Sequence, residues 1–359
     1  MRTWAPRVLT RSDARAGRWP RRRSGQQAPR GGAAGASTGG RHYALAWARP
    51  YTRRASGPRR VAGRALHASA HTAASRAVKA RAELESMASA HAPFADAVAM
   101  LRALVLALDG MTTVLPPGVP DDARARARLG EGVPALYEEP LLDGEAFRDQ
   151  LARIAAALSA AQGAPDAVAM VAARVSELSK AARQELAEQS LTGAWWAMAA
   201  LARRMDVDEH AFITACDMAA RPALRAGRAA LIAPLNDARW ERGICPGCGA
   251  PPLLAELRGA EGERVLRCGR CAAAWRAPRL ACIACGSHDH ARLTALHGAG
   301  EEAYRRADCC DACGAYLKAV AVLDPLTAAE LLETDLATAA LDLAAVDAGY
   351  SRTSRDTAG

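Results

Sequence analysis

The sequence predicts an α-helical N-terminal domain, then two small metal-held β modules in tandem, then a closing C-terminal helix. Three observations predict it. Half of the 359 residues are apolar but only 4% are aromatic (7 Trp, 6 Tyr, 3 Phe), so the core is built from Ala, Leu and Val. Such a composition favours packed helices over a β-sandwich. Apolar residues recur at helical spacing through much of the first 240 positions. Nine of the ten cysteines fall between positions 245 and 313.

The N-terminal stretch comes first. Residues 1–80 hold 17 Arg, Lys79 and one acid, Asp13, a net charge of +17. The whole chain carries +9, so residues 81–359 carry −8. The basic charge belongs to a leader, and runs such as Trp19-Pro20-Arg21-Arg22-Arg23 and Gly31-Gly32-Ala33-Ala34-Gly35 cannot bury a periodic face. A transit peptide, a basic arm for nucleic acid or membrane, and a disordered tail ahead of a true start near Met87 are the three readings. The expectation is a disordered basic leader over 1–70. No charged start followed by an apolar h-region marks secretion, so a cytoplasmic location is expected. No apolar run approaches the roughly 18–20 residues that span a bilayer, which excludes a membrane-spanning segment.

A helical domain is expected over 71–240. Phe94, Val98, Leu101, Val105 and Leu108 step by four and three, one face of a helix that Asp109-Gly110 stops. Residues 111–146 carry Pro116, Pro117, Pro120, Pro134 and Pro140 and read as a long connection. Phe147, Leu151, Ile154 and Leu158 mark a second helix. Pro165-Asp166 opens a third, with Val168, Val171, Val175 and Leu178 on one side. A further Ala-rich helix or two runs through Trp195-Trp196 to about Leu235, its Met and Trp residues expected in core and interface. No phosphate loop, nucleophile elbow or His-Glu-x-x-His helix is present, and the carboxylates are scattered. This region declares no chemistry.

Residues 241–325 declare one. Four C-x-x-C pairs stand in series: Cys245/Cys248, Cys268/Cys271, Cys282/Cys285 and Cys310/Cys313. Nineteen residues separate the first two pairs, 24 the last two, and only 10 lie between. Two C-x2-C…C-x2-C modules follow, each rubredoxin or zinc-ribbon-like in spacing. A C-x-x-C turn sets two sulfurs on one metal and turns backbone N–H groups toward them. A following Gly allows the positive φ that this turn needs. Gly249, Gly286 and Gly314 supply it; after Cys271 stands Ala272. Four thiolates suit Zn²⁺ or a single iron ion. Disulfides, a redox C-x-x-C pair and iron–sulfur clusters are weaker readings of four pairs in series. Cys309 is either a spare ligand or a small side chain, and His288 and His290 are expected in an exposed loop.

The motifs Gly243-Ile-Cys-Pro-Gly-Cys-Gly-Ala-Pro251, Leu266-Arg-Cys-Gly-Arg-Cys-Ala-Ala-Ala-Trp275, Leu280-Ala-Cys-Ile-Ala-Cys-Gly286 and Ala307-Asp-Cys-Cys-Asp-Ala-Cys-Gly-Ala-Tyr-Leu-Lys318 resemble the formate dehydrogenase accessory protein family, FdhE. The tail Asp335-Leu-Ala-Thr338, Leu341-Asp342-Leu343 and Gly349-Tyr350 is similar too. The resemblance covers 240–350 closely and 70–240 loosely; Arg355 to Gly359 depart from the family's ending. It implies a non-enzymatic, cytoplasmic maturation factor that binds the catalytic subunit of formate dehydrogenase. It also implies two mononuclear metal ions held by Cys245, Cys248, Cys268, Cys271, Cys282, Cys285, Cys310 and Cys313. Iron is the metal the resemblance favours, with zinc as the other candidate; a homodimer is among the assemblies left open.

Two other readings compete: a nucleic-acid-binding zinc-ribbon protein and a rubredoxin-like electron carrier. Residues 243–320 hold ten basic and eight acidic residues, too balanced for a phosphate-tracking surface. The densest basic stretch, Arg264, Arg267, Arg270, Arg276 and Arg279 around Trp275, is either a dock for an acidic partner or a solvated hairpin edge. After Asp324-Pro325, Thr327-x-x-Glu330 reads as a capping box. It opens a helix over 326–350, lined by Leu332, Leu336 and Leu343 and expected to pack back on the modules or the helical domain.

Overall fold

The computed structural model describes residues 54–55, 84–85, 92–115, 121–161, 166–298 and 304–352. The leader expected over 1–70, apart from a two-residue strand β1 (Arg54–Ala55), lies outside the described residues. So do Met87, Pro116, Pro117, Pro120, Pro165 and the chain end from Thr353.

The N-terminal part is helical as the periodicity predicts. Helix α1 (Ala92–Asp109) carries the stripe that begins at Phe94. The expected connection contains an extra helix, α2 (Asp122–Gly130), whose N-terminus Asp121 caps by accepting from the Arg124 N–H at 2.7 Å. Its Asp-Ala-Arg-Ala-Arg-Ala-Arg stretch has no apolar stripe, so periodicity could not reveal it. Helix α3 (Gly144–Ser159) buries Phe147, Leu151 and Ile154, and α4 (Asp166–Glu177) buries Val168, Val171 and Val175. Where one or two helices are expected up to Leu235, four form: α5 (Lys180–Thr192), α6 (Trp195–Arg204), α7 (Glu209–Ala230) and α8 (Ile232–Asp237). Gly193 at φ 69° ends α5 in the left-handed conformation that glycine adopts freely. Helix α7 buries a small-residue face, Ala215, Cys216, Ala219, Ala220 and Ala223, which lets α3 through α6 pack close around it. Trp195 packs on the core, whereas Trp196 is 79% exposed, so of the expected core and interface places the core holds only the first of the pair.

The C-terminal part is one sheet. Strands β2 (Leu254–Arg258), β3 (Glu263–Arg267) and β4 (Ala274–Arg276) form an antiparallel meander. Strands β5 (Leu293–Leu296), β6 (Arg305–Cys310) and β7 (Ala315–Val322) form a second one. Parallel pairing of β2 with β7, Ala255 opposite Ala319 through Arg258 opposite Val322, fuses the two. Strand β8 (Ser351–Arg352) takes the other end of the same β7 edge, with Ser351 opposite Ala315.

The capping box is present: Thr327 Oγ1 accepts from the Glu330 N–H at 3.2 Å, and Glu330 accepts from the Thr327 N–H at 2.8 Å. The expected closing helix is divided in two, α9 (Ala328–Ala337) and α10 (Ala339–Asp347). At the break, the Thr338 hydroxyl donates to the Thr334 carbonyl at 2.7 Å, the side-chain bond that bends helices. Helix α9 packs on α1 and α10 on β5, β6 and β7. Lys318, buried on β7, holds both, its Nζ 2.6 Å from a carboxylate oxygen of Asp335 and 2.6 Å from one of Asp342.

Two candidate metal centres

The eight paired cysteines converge in two groups, Cys245/Cys248/Cys268/Cys271 and Cys282/Cys285/Cys310/Cys313, each with its sulfurs within 4.8 Å of one another. The ladders cause this. In each module the chain makes a knuckle, runs out and back along a hairpin, and makes a second knuckle beside the first.

All four knuckles repeat one local structure. The N–H of the residue after the second Cys donates to the first Cys carbonyl: Gly249 to Cys245 at 2.9 Å, Ala272 to Cys268 at 3.1 Å, Gly286 to Cys282 at 2.9 Å and Gly314 to Cys310 at 2.8 Å. These four residues have φ of 72°, 59°, 69° and 74°. Ala272 therefore adopts the turn without the freedom of glycine, at a cost of about 1–2 kcal/mol.

The sulfur spacing suits a tetrahedral ion. Metal–sulfur bonds of about 2.3 Å put tetrahedral sulfurs about 3.8 Å apart. Across centre 1, Cys245 and Cys271 Sγ lie 3.4 Å apart, and Cys248 and Cys268 Sγ 3.5 Å apart. Across centre 2, Cys282 and Cys313 Sγ lie 3.7 Å apart, and Cys285 and Cys310 Sγ 3.8 Å apart. Backbone N–H groups point at the sulfurs, among them Gly247 to Cys245 at 3.3 Å and Arg270 to Cys268 at 3.4 Å. Thiol hydrogen bonds from Cys245, Cys268 and Cys271, with the Arg270 charge added, hold Cys248 well below the usual thiol range. Burial pushes Cys285 up, but the Ser287 N–H and the thiols of Cys313, Cys282 and Cys310 outweigh it and bring it down. Four soft donors at these spacings, with thiolate favoured at one of them in each group, could hold Zn²⁺ or iron.

The other candidates stay outside. Cys309 is buried, its thiol 3.5 Å from the Ala307 carbonyl, and belongs to neither group. His288 and His290 are exposed in the loop after Cys285. Cys216 is fully buried on α7, and burial pushes its thiol up.

Centre 1 belongs to the main core. Its four cysteines, each no more than 1% exposed, share one apolar cluster with Phe147, Met198, Phe212, Leu224 and Trp275. The connection after α2 grips the first knuckle, as Ala135 and Leu136 N–H donate to the Pro246 and Gly247 carbonyls at 2.8 Å each. Arg270, inside the second knuckle, is buried against the helices. Its Nε donates to Asp217 Oδ1 at 2.6 Å, its other nitrogens to the Leu191 and Ser190 carbonyls, and its guanidinium stacks 5.3 Å from the Trp195 ring. Asp217 also accepts from Arg221 at 2.9 and 3.1 Å. The basic stretch is thus not a free surface at its centre. Arg264 binds the Ala281 carbonyl at 2.8 Å, and Arg267 meets the fully buried Glu256 and the Leu326 carbonyl. Of the five, Arg276 and Arg279 are exposed.

Centre 2 is set differently. Cys282 and Cys310 are buried with Ala284 and Ala315 in a small cluster of their own, while Cys285 and Cys313 are exposed. The Arg270–Asp217 contact and the 135–136 grip carry no signal in the sequence that periodicity or spacing detects, whereas the place of Ala272 in the turn follows from the C-x-x-C spacing.

Residues 280–357 match the family described as FdhE, C-terminal domain. An FdhE homologue of Rhizobium meliloti (strain 1021) is 33% identical over 117 residues, 32% of this chain and 38% of that protein. The match thus spans less than two-fifths of that relative's own length. An FdhE homologue of Pseudomonas putida (strain KT2440) is 29% identical over 279 residues, 76% of this chain and 83% of that protein. The crystal structure of the FdhE protein from Pseudomonas aeruginosa covers 78% of this chain with 94% of its own, at 26% identity and a TM-score of 0.57.

Proposed function

We propose that this chain, similar to FdhE proteins over most of its length and matching their C-terminal domain over residues 280–357, serves as a maturation factor for formate dehydrogenase, binding that enzyme's catalytic subunit and carrying a metal ion in each four-cysteine group. The observation that carries the metal reading is the convergence of eight cysteines, joined by no histidine or carboxylate among the described residues, into two tetrahedron-sized groups. The ligands are Cys245, Cys248, Cys268 and Cys271 in one centre and Cys282, Cys285, Cys310 and Cys313 in the other. Iron follows from the family resemblance, and zinc fits the same donors. Each meander is too small to hold a core alone, so the ions contribute folding free energy, on the order of 10–16 kcal/mol for a structural zinc site.

The role is non-catalytic and cytoplasmic in this reading. Among the described residues no helix is long and apolar enough to cross a membrane. Burial of Arg264, Arg267 and Arg270 removes the basic surface a nucleic-acid reading needs.

The test is complementation. In a host lacking its own accessory protein of this family, the chain is expected to restore formate dehydrogenase activity and to co-purify with the catalytic subunit. Cys248→Ser is expected to fail at both. Restored activity without any association overturns the binding role, and no restoration overturns the function. Elemental analysis after anaerobic purification is expected to give two ions per chain and reads iron against zinc directly.

A further inference from the structure

The two centres are built alike and housed differently. Centre 1 lies in the main core, under the 135–136 segment on one side and the Arg270–Asp217 clasp on the other. Centre 2 lies at the turn between β6 and β7, with Cys285 and Cys313 exposed to solvent. Its fourth knuckle is fastened from outside by the chain's C-terminal stretch. Tyr350, 8% exposed, donates through its hydroxyl to Asp311, the residue after Cys310. The Ser351 N–H donates at 2.8 Å to the carbonyl of Gly314, the residue that makes the knuckle's positive-φ turn. Strand β8 then pairs with β7 at Ala315 and Tyr316, immediately beyond the knuckle.

We propose that the centres divide their labour: Cys245/Cys248/Cys268/Cys271 form a permanent element of the core, whereas Cys282/Cys285/Cys310/Cys313 form an exchangeable centre whose occupancy governs the docking of Tyr350 and β8. The inference rests on the reading that both groups bind metal. Replacement of a thiolate-bound ion begins when a competing ligand reaches it, and two exposed cysteines leave that approach open at centre 2. At centre 1 the same approach first requires the helices to part and Arg270 to leave Asp217 and two carbonyls, a local opening that is rarely populated. Emptied, the knuckle of Cys310-Asp311-Ala312-Cys313 loses the constraint that presents Asp311 and the Gly314 carbonyl together. Tyr350 and Ser351 then lose their partners, and the β7 edge from Ala315 is uncovered.

The experiment uses full-length protein loaded with zinc. It is exposed to a chromogenic pyridylazo chelator with N-ethylmaleimide present, and sampled over time for released zinc, sites of alkylation and amide hydrogen exchange. Release is expected in two phases at least tenfold apart in rate. The fast equivalent should coincide with alkylation of Cys282, Cys285, Cys310 and Cys313, and with loss of protection at the Ser351 amide. Tyr350→Phe is expected to speed the fast phase several-fold and leave the slow phase unchanged; Asp311→Ala, which removes the acceptor, serves the same purpose should that variant not fold. A single phase, equal alkylation of both groups, or a Ser351 amide indifferent to the first equivalent overturns the division. A chain holding fewer than two ions before treatment overturns the two-site reading itself, and the division with it.

Discussion

Asp217→Ala isolates the contact that joins centre 1 to the helices. The Asp217 side chain is 12% exposed and the partner side chains of Arg270 and Arg221 are 7% and 8% exposed. Burial pushes the Asp217 carboxyl up, but the two guanidiniums outweigh it and hold it below the usual carboxylate range. Removing the carboxylate strands two buried cations, and breaking a buried pair from one side costs about 3–5 kcal/mol. Domains of this kind are stable by only about 5–15 kcal/mol, so the loss is a large share of the total. It should appear in urea unfolding of the zinc-loaded protein as a lower midpoint with an unchanged slope. The metal should leave centre 1 faster as well, because Arg270 lies between its ligands Cys268 and Cys271. Asp217→Leu combined with Arg270→Met should recover part of the stability, since one stranded charge is gone while Arg221 remains. A midpoint change equivalent to less than about 1 kcal/mol, with centre 1 exchange as slow as before, refutes the clasp.

Three further outcomes are expected. Gly243→Ala should prevent normal packing of the two modules, because a Cβ there would overlap the Ile283 carbonyl oxygen in the third knuckle; an unaltered melting curve with both ions retained contradicts this. Ala272→Gly should raise the midpoint in the same urea assay by up to about 1 kcal/mol, because the left-handed strain relieved exceeds the freedom added to the unfolded chain; an unchanged or lower midpoint contradicts this. The contacts of β7 with α9 and α10 should be insensitive to pH from 6 to 9. Burial raises Asp335, but Lys318 and Arg352 outweigh it and hold it below the usual range, so its contribution is complete above about pH 4 and lost below. Burial and Asp342 push Tyr316 up, so its contribution is complete below about pH 10 and declines above. Unfolding midpoints should therefore fall above pH 10 in the wild type and less so in Tyr316→Phe; a titration between pH 6 and 9 that the variant abolishes contradicts the assignment.

Much of the fold was legible because its signals are local. The stripes of α1, α3 and α4 lie within single helices, and a capping box spans four residues. A knuckle is likewise specified by four or five consecutive residues. The resemblance to the FdhE family rested on those same knuckles and on the tail through Tyr350. The parts that escaped have no such short-range mark. Helix α2 has an Asp cap but buries only Ala125 and Leu129, too short an apolar pattern to stand out, and the break at Thr338 comes from a side chain bonding back one turn. Arg264, Arg267 and Arg270 read as a basic surface because their partners lie elsewhere in the chain. Asp217 is 53 positions from Arg270, and Leu326 is 59 from Arg267.

By itself, the sequence determined which eight cysteines gather and how they divide into two groups of four, since spacing within and between C-x-x-C pairs is a property of the chain alone. Only the tertiary structure decided that the two groups are unequal. Exposure depends on what packs over a site, and those coverings come from remote segments: residues 135–136 and Asp217 over one centre, Tyr350 and Ser351 beside the other. Two nearly identical sets of four cysteines thereby acquire different environments, one in the core and one at the surface.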